Sequence, residues 1–321
     1  FFFKQKTAYE IRNCDWSSDV CSSDLPAPDW LAQRAHWPHS QCSHFVRTPR
    51  LNWHVQIVGR GPTALLLHGT GASTHTWRDV APLLAEQFTV VSVDLPGHGF
   101  SSAMERDEPS IQAVYEELVC LMKALGREPE LLVGHSAGAA VAAKWCLNSR
   151  TQSHNSAPQL IALNPAWLPL SGLAQWLFPV TAWMAAFNPL SGALVSHQAK
   201  RSGAVERLMA STGSRLDEKG LACYRFLLSQ AAHVRGILQL MAAWNVREVA
   251  DHLADIHQPV LVQVGQSDLT VPAHLGRRAC AMLPNATLSE LPGLGHLSHE
   301  ESPGPSVQSW LQWMDSIKHR A

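Results

Sequence analysis

Hydrophobic and polar positions change period repeatedly along the chain, and each change marks an element. Residues 45–48 and 51–58 alternate as a half-exposed hairpin pair does, ended by Gly59 and Gly61-Pro62. Residues 64–67 form a short continuous apolar run stopped by a glycine loop, the pattern of a buried parallel strand. Residues 88–93, 131–133, 160–163 and 260–264 repeat that pattern. Ser110 caps a helical run reaching about residue 125, and small residues predict a second helix over 137–146. Strands alternating with helices imply an α/β fold with a mostly parallel sheet and right-handed crossovers. The rhythm breaks over 165–257, where only helical pieces are predicted (204–210, 221–229 and 234–244). The expected organisation is a core of 26–164 and 258–321 with a helical cap over 165–257.

The chain has 321 residues, 46% hydrophobic and 16% charged, enough apolar surface for a sizeable core. Its net charge is -1 and it has no Lys/Arg cluster, which argues against nucleic acid as a partner. The seven cysteines are scattered without a C-x-x-C pair and read as reduced thiols of a cytoplasmic protein. The seventeen histidines include no H-E-x-x-H; His36/His39 and His296/His299 are the nearest approaches to ligand spacing, and no metal site is expected. Residues 1–25 show neither periodicity nor the layout of a signal peptide. Their strings KQKTAYEI and DWSSDVCSSDL resemble a sequencing adapter translated in frame, so the folded chain is expected to begin near Pro26.

Gly134-His135-Ser136-Ala137-Gly138 matches G-x-S-x-G between a buried strand and a small-residue helix, the context of a nucleophile elbow. Such a turn strains the serine backbone, keeps neighbouring side chains away and aims a helix N-terminus at the site. A serine hydroxyl needs a base, and the base needs an orienting carboxylate. In the α/β-hydrolase arrangement these follow in the order Ser, acid, His. His296, in Gly293-Leu294-Gly295-His296 after the apolar segment 286–291, is the expected base; His299 is read as solvated or as a helix-start residue. Asp268, just past the 260–264 strand, is the expected acid by elimination, because the loop after 160–163 reads Asn164-Pro165 and holds no carboxylate. The oxyanion needs two backbone N–H donors. Ala137 and Thr70 are the expected pair, with Gly71 the alternative to Thr70.

His68 is read as bracing the Thr70 loop. With His135, Trp167, Trp176 and Trp183 it is also expected to line the substrate pocket. Asp94-Leu95-Pro96-Gly97-His98-Gly99 reads as a structural turn beside that pocket. Between Thr151 and Ala199 there is no charged residue, and Phe178, Met184 and Phe187 join the tryptophans there. Prolines 165, 169, 179 and 189 interrupt the run, so a membrane span is not expected. A large apolar pocket is the favoured reading, with peripheral membrane contact by the cap the alternative.

Several strings narrow the picture further: Asn52-Trp53-His54-Val55-Gln56, Leu67-His68-Gly69-Thr70-Gly71-Ala72, Asp94 to Phe100, Ser211-Thr212-Gly213-Ser214 with Leu216-Asp217, and Gly295-His296-Leu297-Ser298-His299-Glu300-Glu301. By these the chain resembles the BchO-type α/β-hydrolases, the magnesium-chelatase accessory proteins of bacteriochlorophyll synthesis. The resemblance implies a place near magnesium insertion, and a tetrapyrrole or the chelatase as a partner. The residues themselves imply a serine hydrolase acting on an ester or similar acyl bond of a hydrophobic substrate, needing no cofactor. The rivals are a non-catalytic accessory factor that holds a tetrapyrrole or contacts the chelatase, and a general carboxylesterase.

Overall fold

The computed structural model describes residues 27–104, 109–149, 157–169, 193, 196–198 and 203–319. The adapter-like segment, Trp176, Phe178, Trp183, Met184 and Phe187 lie outside them. Eight strands make one sheet: β1 (Ser43–Arg47), β2 (Asn52–Val58), β3 (Thr63–Leu67), β4 (Thr89–Val93), β5 (Pro129–His135), β6 (Gln159–Leu163), β7 (Val260–Gly265) and β8 (Ala286–Leu291). Their order is β1-β2-β4-β3-β5-β6-β7-β8. The β1–β2 hairpin and the β2–β4 pair are antiparallel, and all pairs from β3 to β8 are parallel. From β3 the chain steps to β4 on one side, then returns to β5 on the other. Loops leaving β3 and β5 therefore diverge at the carboxyl ends of neighbouring strands, which opens a crevice there.

The continuous apolar runs follow from burial on both faces. Within β3, Leu65 and Leu67 face one core while Ala64 and Leu66 face the other; β6 divides Leu160 and Ala162 from Ile161 and Leu163 in the same way. The first core is closed by α1 (Ile111–Ala124), capped by Ser110 Oγ accepting from Ala113 N, and by α2 (Ala137–Asn148). Between β6 and β7 run α3 (Ala204–Ser211), α4 (Glu218–Leu228) and α5 (Ala231–Ala243). After β7 come α6 (Ala273–Met282) and α7 (Pro303–Lys318). Helix α7 brings Val307, Trp310, Trp313 and Met314 to the second core. Its opening Pro-Gly-Pro hides it from a reading by periodicity, yet prolines fit the first helical turn, where an N–H has no intrahelical acceptor.

A buried polar knot ties α4 to the core. Arg78 pairs with Glu300 and donates to Asp217 at 2.9 Å, while Thr76 and Tyr224 donate to Glu300 at 2.6 and 2.8 Å. Removing the carboxylate by Glu300→Ala strands a buried guanidinium and is expected to cost about 3–5 kcal/mol of stability, read by urea unfolding.

Buried histidines form a second polar feature. Asp94 accepts from His54 Nδ1 at 2.7 Å, Thr74 N at 2.6 Å and Phe100 N at 2.9 Å. Burial works to raise this carboxyl, but the His54 ring beside it holds it down to about 2. Burial lowers His233 to about 4 and His299 to about 3, the latter helped by His296 and Arg78. Both rings are neutral in the fold, whereas the unfolded chain protonates them near 6.5. Stability is therefore expected to be full above about pH 6.5 and to fall as pH drops toward the folded values, by about 1.4 kcal/mol per unit per histidine. Urea midpoints measured from about pH 7.5 to 4.5 check this, and His233→Gln should reduce the slope by about one proton.

Candidate active site

Strand β5 runs straight into a sharp turn at Ser136, whose φ of 51° and ψ of −114° lie where non-glycine residues rarely sit. Holding that conformation costs on the order of 1–3 kcal/mol, so the surroundings must over-determine it. They do. A Cβ on Gly138 would fall 2.2 Å from Leu67 O, and one on Gly134 2.5 Å from Ala139 Cα. Only glycines let α2 drop this closely onto the ends of β3 and β5. Ser136 N donates to Leu163 O at 3.0 Å, tying the turn to β6. The Ser136 hydroxyl, barely exposed, has no hydrogen-bond partner among the described residues.

Asp268 and His296 come together on neighbouring loops. Asp268 Oδ1 accepts from Thr270 N at 2.7 Å and Val271 N at 2.8 Å. Its Oδ2 accepts from His296 Nδ1 and from Asn164 Nδ2, both at 2.7 Å. A carboxylate so placed fixes the proton on Nδ1 and leaves Nε2 of His296 with a lone pair. Asn164 is the residue that sequence reasoning missed: its loop was set aside for lacking a carboxylate, but its amide serves one. Asn164 Oδ1 accepts from Ser298 Oγ at 3.0 Å, and its φ is 44°. An asparagine at a strand end, tolerant of left-handed backbone, was the available signal.

The loops are also clasped from the α3–α4 connection. Thr212 O accepts from Leu269 N at 3.2 Å and His296 N at 3.3 Å, and Ser214 Oγ accepts from Leu297 N at 2.8 Å. Glu301 receives Arg215 N at 2.9 Å and Gly295 N at 2.8 Å. Beside Leu297 an apolar cluster gathers Ala72, Val205, Met209, Tyr224 and Leu228. The open concavity lined by Arg215, Ser267, Leu269 and Glu301 lies on the outside of these loops and does not include Ser136 or His296.

In the loop after β3, His68 Nδ1 donates to Gly69 O at 2.8 Å and Nε2 accepts from Leu95 N at 2.9 Å, so His68 is the brace the sequence suggested. Burial lowers its pKa, and the two bonds need a neutral ring. The ring is fully buried, with both nitrogens bonded. Trp167 is 0% exposed in the first core, with Nε1 donating to Ala139 O at 2.8 Å. His135 is also buried. His299 opens the short helix Ser298–Glu301 but is not solvated: it is buried and bonded to Thr76 Oγ1 at 2.8 Å. Thr70 is exposed, and among the described residues no carbonyl accepts from the N–H of Thr70, Gly71 or Ala137. Among the same residues there is no group of three or more potential metal ligands.

The chain matches the model of the alpha/beta hydrolase family over residues 64–308. It is 34% identical over 289 residues to the magnesium-chelatase 30 kDa subunit of Rhodobacter capsulatus, covering 89% of this chain and 99% of that protein. It is 27% identical to the pimeloyl-(acyl-carrier protein) methyl ester esterase of Chromobacterium violaceum, covering 78% and 94%. Among solved structures, the epoxide hydrolase CorEH superposes with a TM-score of 0.69 at 22% identity over 86% of this chain and 99% of that one, a likeness of fold. Matched from β3 into α7, and along nearly the whole length of its chelatase-named relative, the chain belongs to the alpha/beta hydrolase family, in the group of the magnesium-chelatase 30 kDa subunit.

Proposed function

We propose that the chain is a serine hydrolase that cleaves an ester or similar acyl bond of a hydrophobic substrate. The observation that carries this reading is the Asp268–His296 contact of 2.7 Å through Nδ1, made on loops that flank the strained Ser136 turn. Ser136 Oγ attacks the acyl carbonyl as His296 Nε2 takes its proton. The N–H groups of Ala137 and Thr70, without acceptors among the described residues, receive the oxyanion, with Gly71 the alternative to Thr70. His296 returns the proton to the departing alkoxide, and water then releases the acyl group by the same path in reverse. No step calls for a cofactor. An aspartate at the elbow would instead suit the alkyl-ester route of epoxide opening, and this chain has Ser136 there.

The helices between β6 and β7 act in this reading as a cap, and the apolar cluster of Ala72, Val205, Met209, Leu228 and Leu297 supports an apolar acyl or alcohol group. The chelatase-named relative points to a tetrapyrrole ester as the substrate to try first. Its name also favours a second reading, an accessory factor that binds a tetrapyrrole or the chelatase without turnover. Among the described residues no helix is long and apolar enough to cross a membrane, and peripheral contact by the cap is the alternative use of its apolar surface.

An alkyl fluorophosphonate separates the readings. The unsubstituted protein is expected to be labelled and Ser136→Ala not; a folded, unlabelled wild-type chain would favour the accessory factor. Turnover of short p-nitrophenyl esters without tetrapyrrole binding would favour a general carboxylesterase. Asp268→Asn is expected to lower kcat by about 10³–10⁴-fold, because the amide stabilises the wrong His296 tautomer. Asn164→Leu removes one donor to the same carboxylate and is expected to lower kcat by about 10-fold at a nearly constant KM.

A further inference from the structure

We propose that His135 is a positioning residue for the base: its Nε2–H donates to the backbone carbonyl of His296 at 2.9 Å from the position immediately before Ser136, so one rigid ring sets the separation of nucleophile and base. This deepens the serine-hydrolase reading and rests on it.

Residue 135 ends β5 in register with Leu163, so its backbone is fixed by the sheet. Its side chain is held on three sides. A Cβ on Gly69 would lie 2.7 Å from His135 Nδ1 and 3.0 Å from Ser136 Cβ, so the loop after β3 closes over both residues. The ring centroids of His296 and His299 lie 4.7 and 4.6 Å from that of His135. His135 Nδ1 is buried without a partner, and burial, with His299 and His296 nearby, keeps the ring deprotonated. The one proton is therefore on Nε2, the atom facing the His296 carbonyl.

That bond completes a three-point mount for His296. Its N–H is held by Thr212 O at 3.3 Å, its carbonyl by His135 and its ring by Asp268. Two of these anchors lie on other loops of the chain. Only His135 is covalently adjacent to Ser136. A displacement of about 1 Å at such a site costs on the order of 10²-fold in rate.

The test compares fluorophosphonate inactivation of the wild-type chain with His135→Phe, His135→Gln and His135→Asn. Phe keeps a flat ring without the donor; the Gln amide nitrogen stands where Nε2 stood; Asn is too short to reach. Phosphonylation forms the Ser136 Oγ–P bond, expels fluoride and sends the proton to His296. Phe and Asn are expected to lower the limiting inactivation rate by about 10–100-fold with little change in KI, and Gln to restore it to within about 3-fold of wild type. Phe reacting as fast as wild type, or Gln and Asn being equally slow, overturns the proposal alone. The Gln–Asn comparison decides the matter if Phe does not fold. A folded wild-type chain that takes no label overturns the hydrolase reading and this proposal with it.

Discussion

Four donors converge on the carboxylate of Asp268: two backbone N–H groups of its own turn, the amide of Asn164 and the ring of His296. A buried carboxylate is expensive unless its lone pairs are met, and here each oxygen has two partners. The first pair shapes the loop after β7 and the second draws in the ends of β6 and of the His296 loop. Three elements distant in the chain are thus registered against one charged group.

The setting explains why a chain with a net charge of -1 keeps so many histidines inside. Most of the buried rings near the site are used as neutral, directional hydrogen-bonding groups. His68 bridges Gly69 and Leu95, His233 meets Gly99 N at 3.0 Å, and His299 meets Thr76. A neutral imidazole donates from one nitrogen and accepts at the other, which suits turns whose backbone groups find no strand or helix partner. The same burial that keeps these rings neutral leaves the immediate neighbours of His296 uncharged, so they do not compete with it for the Asp268 carboxylate.

The segment between α3 and α4 also holds the loops that carry Asp268 and His296. Thr212 O holds both the Asp268 loop and the His296 loop, and a Cβ on Gly213, whose φ is +81°, would meet Ser267 O at 2.0 Å. The Arg78–Glu300–Asp217 knot fastens the same region to the loop before β4.

Local pattern by itself determined the strands and their burial, the glycine-flanked turn at Ser136, the helical pieces between β6 and β7, and Asp268 and His296 as residues at strand ends. Period, turn residues and chain order are written in short stretches of sequence, because each element must satisfy its own backbone and bury its own face. Tertiary structure alone decided the rest. That Asn164 serves Asp268 depends on a contact 104 residues apart in sequence, and His135 meets His296 across 161. Packing likewise sets Trp167 in the first core against Ala139 O and makes His68 a brace between Gly69 and Leu95. Which side of a loop a side chain takes is set by what else needs the space. That competition is between parts of the chain that no local pattern relates.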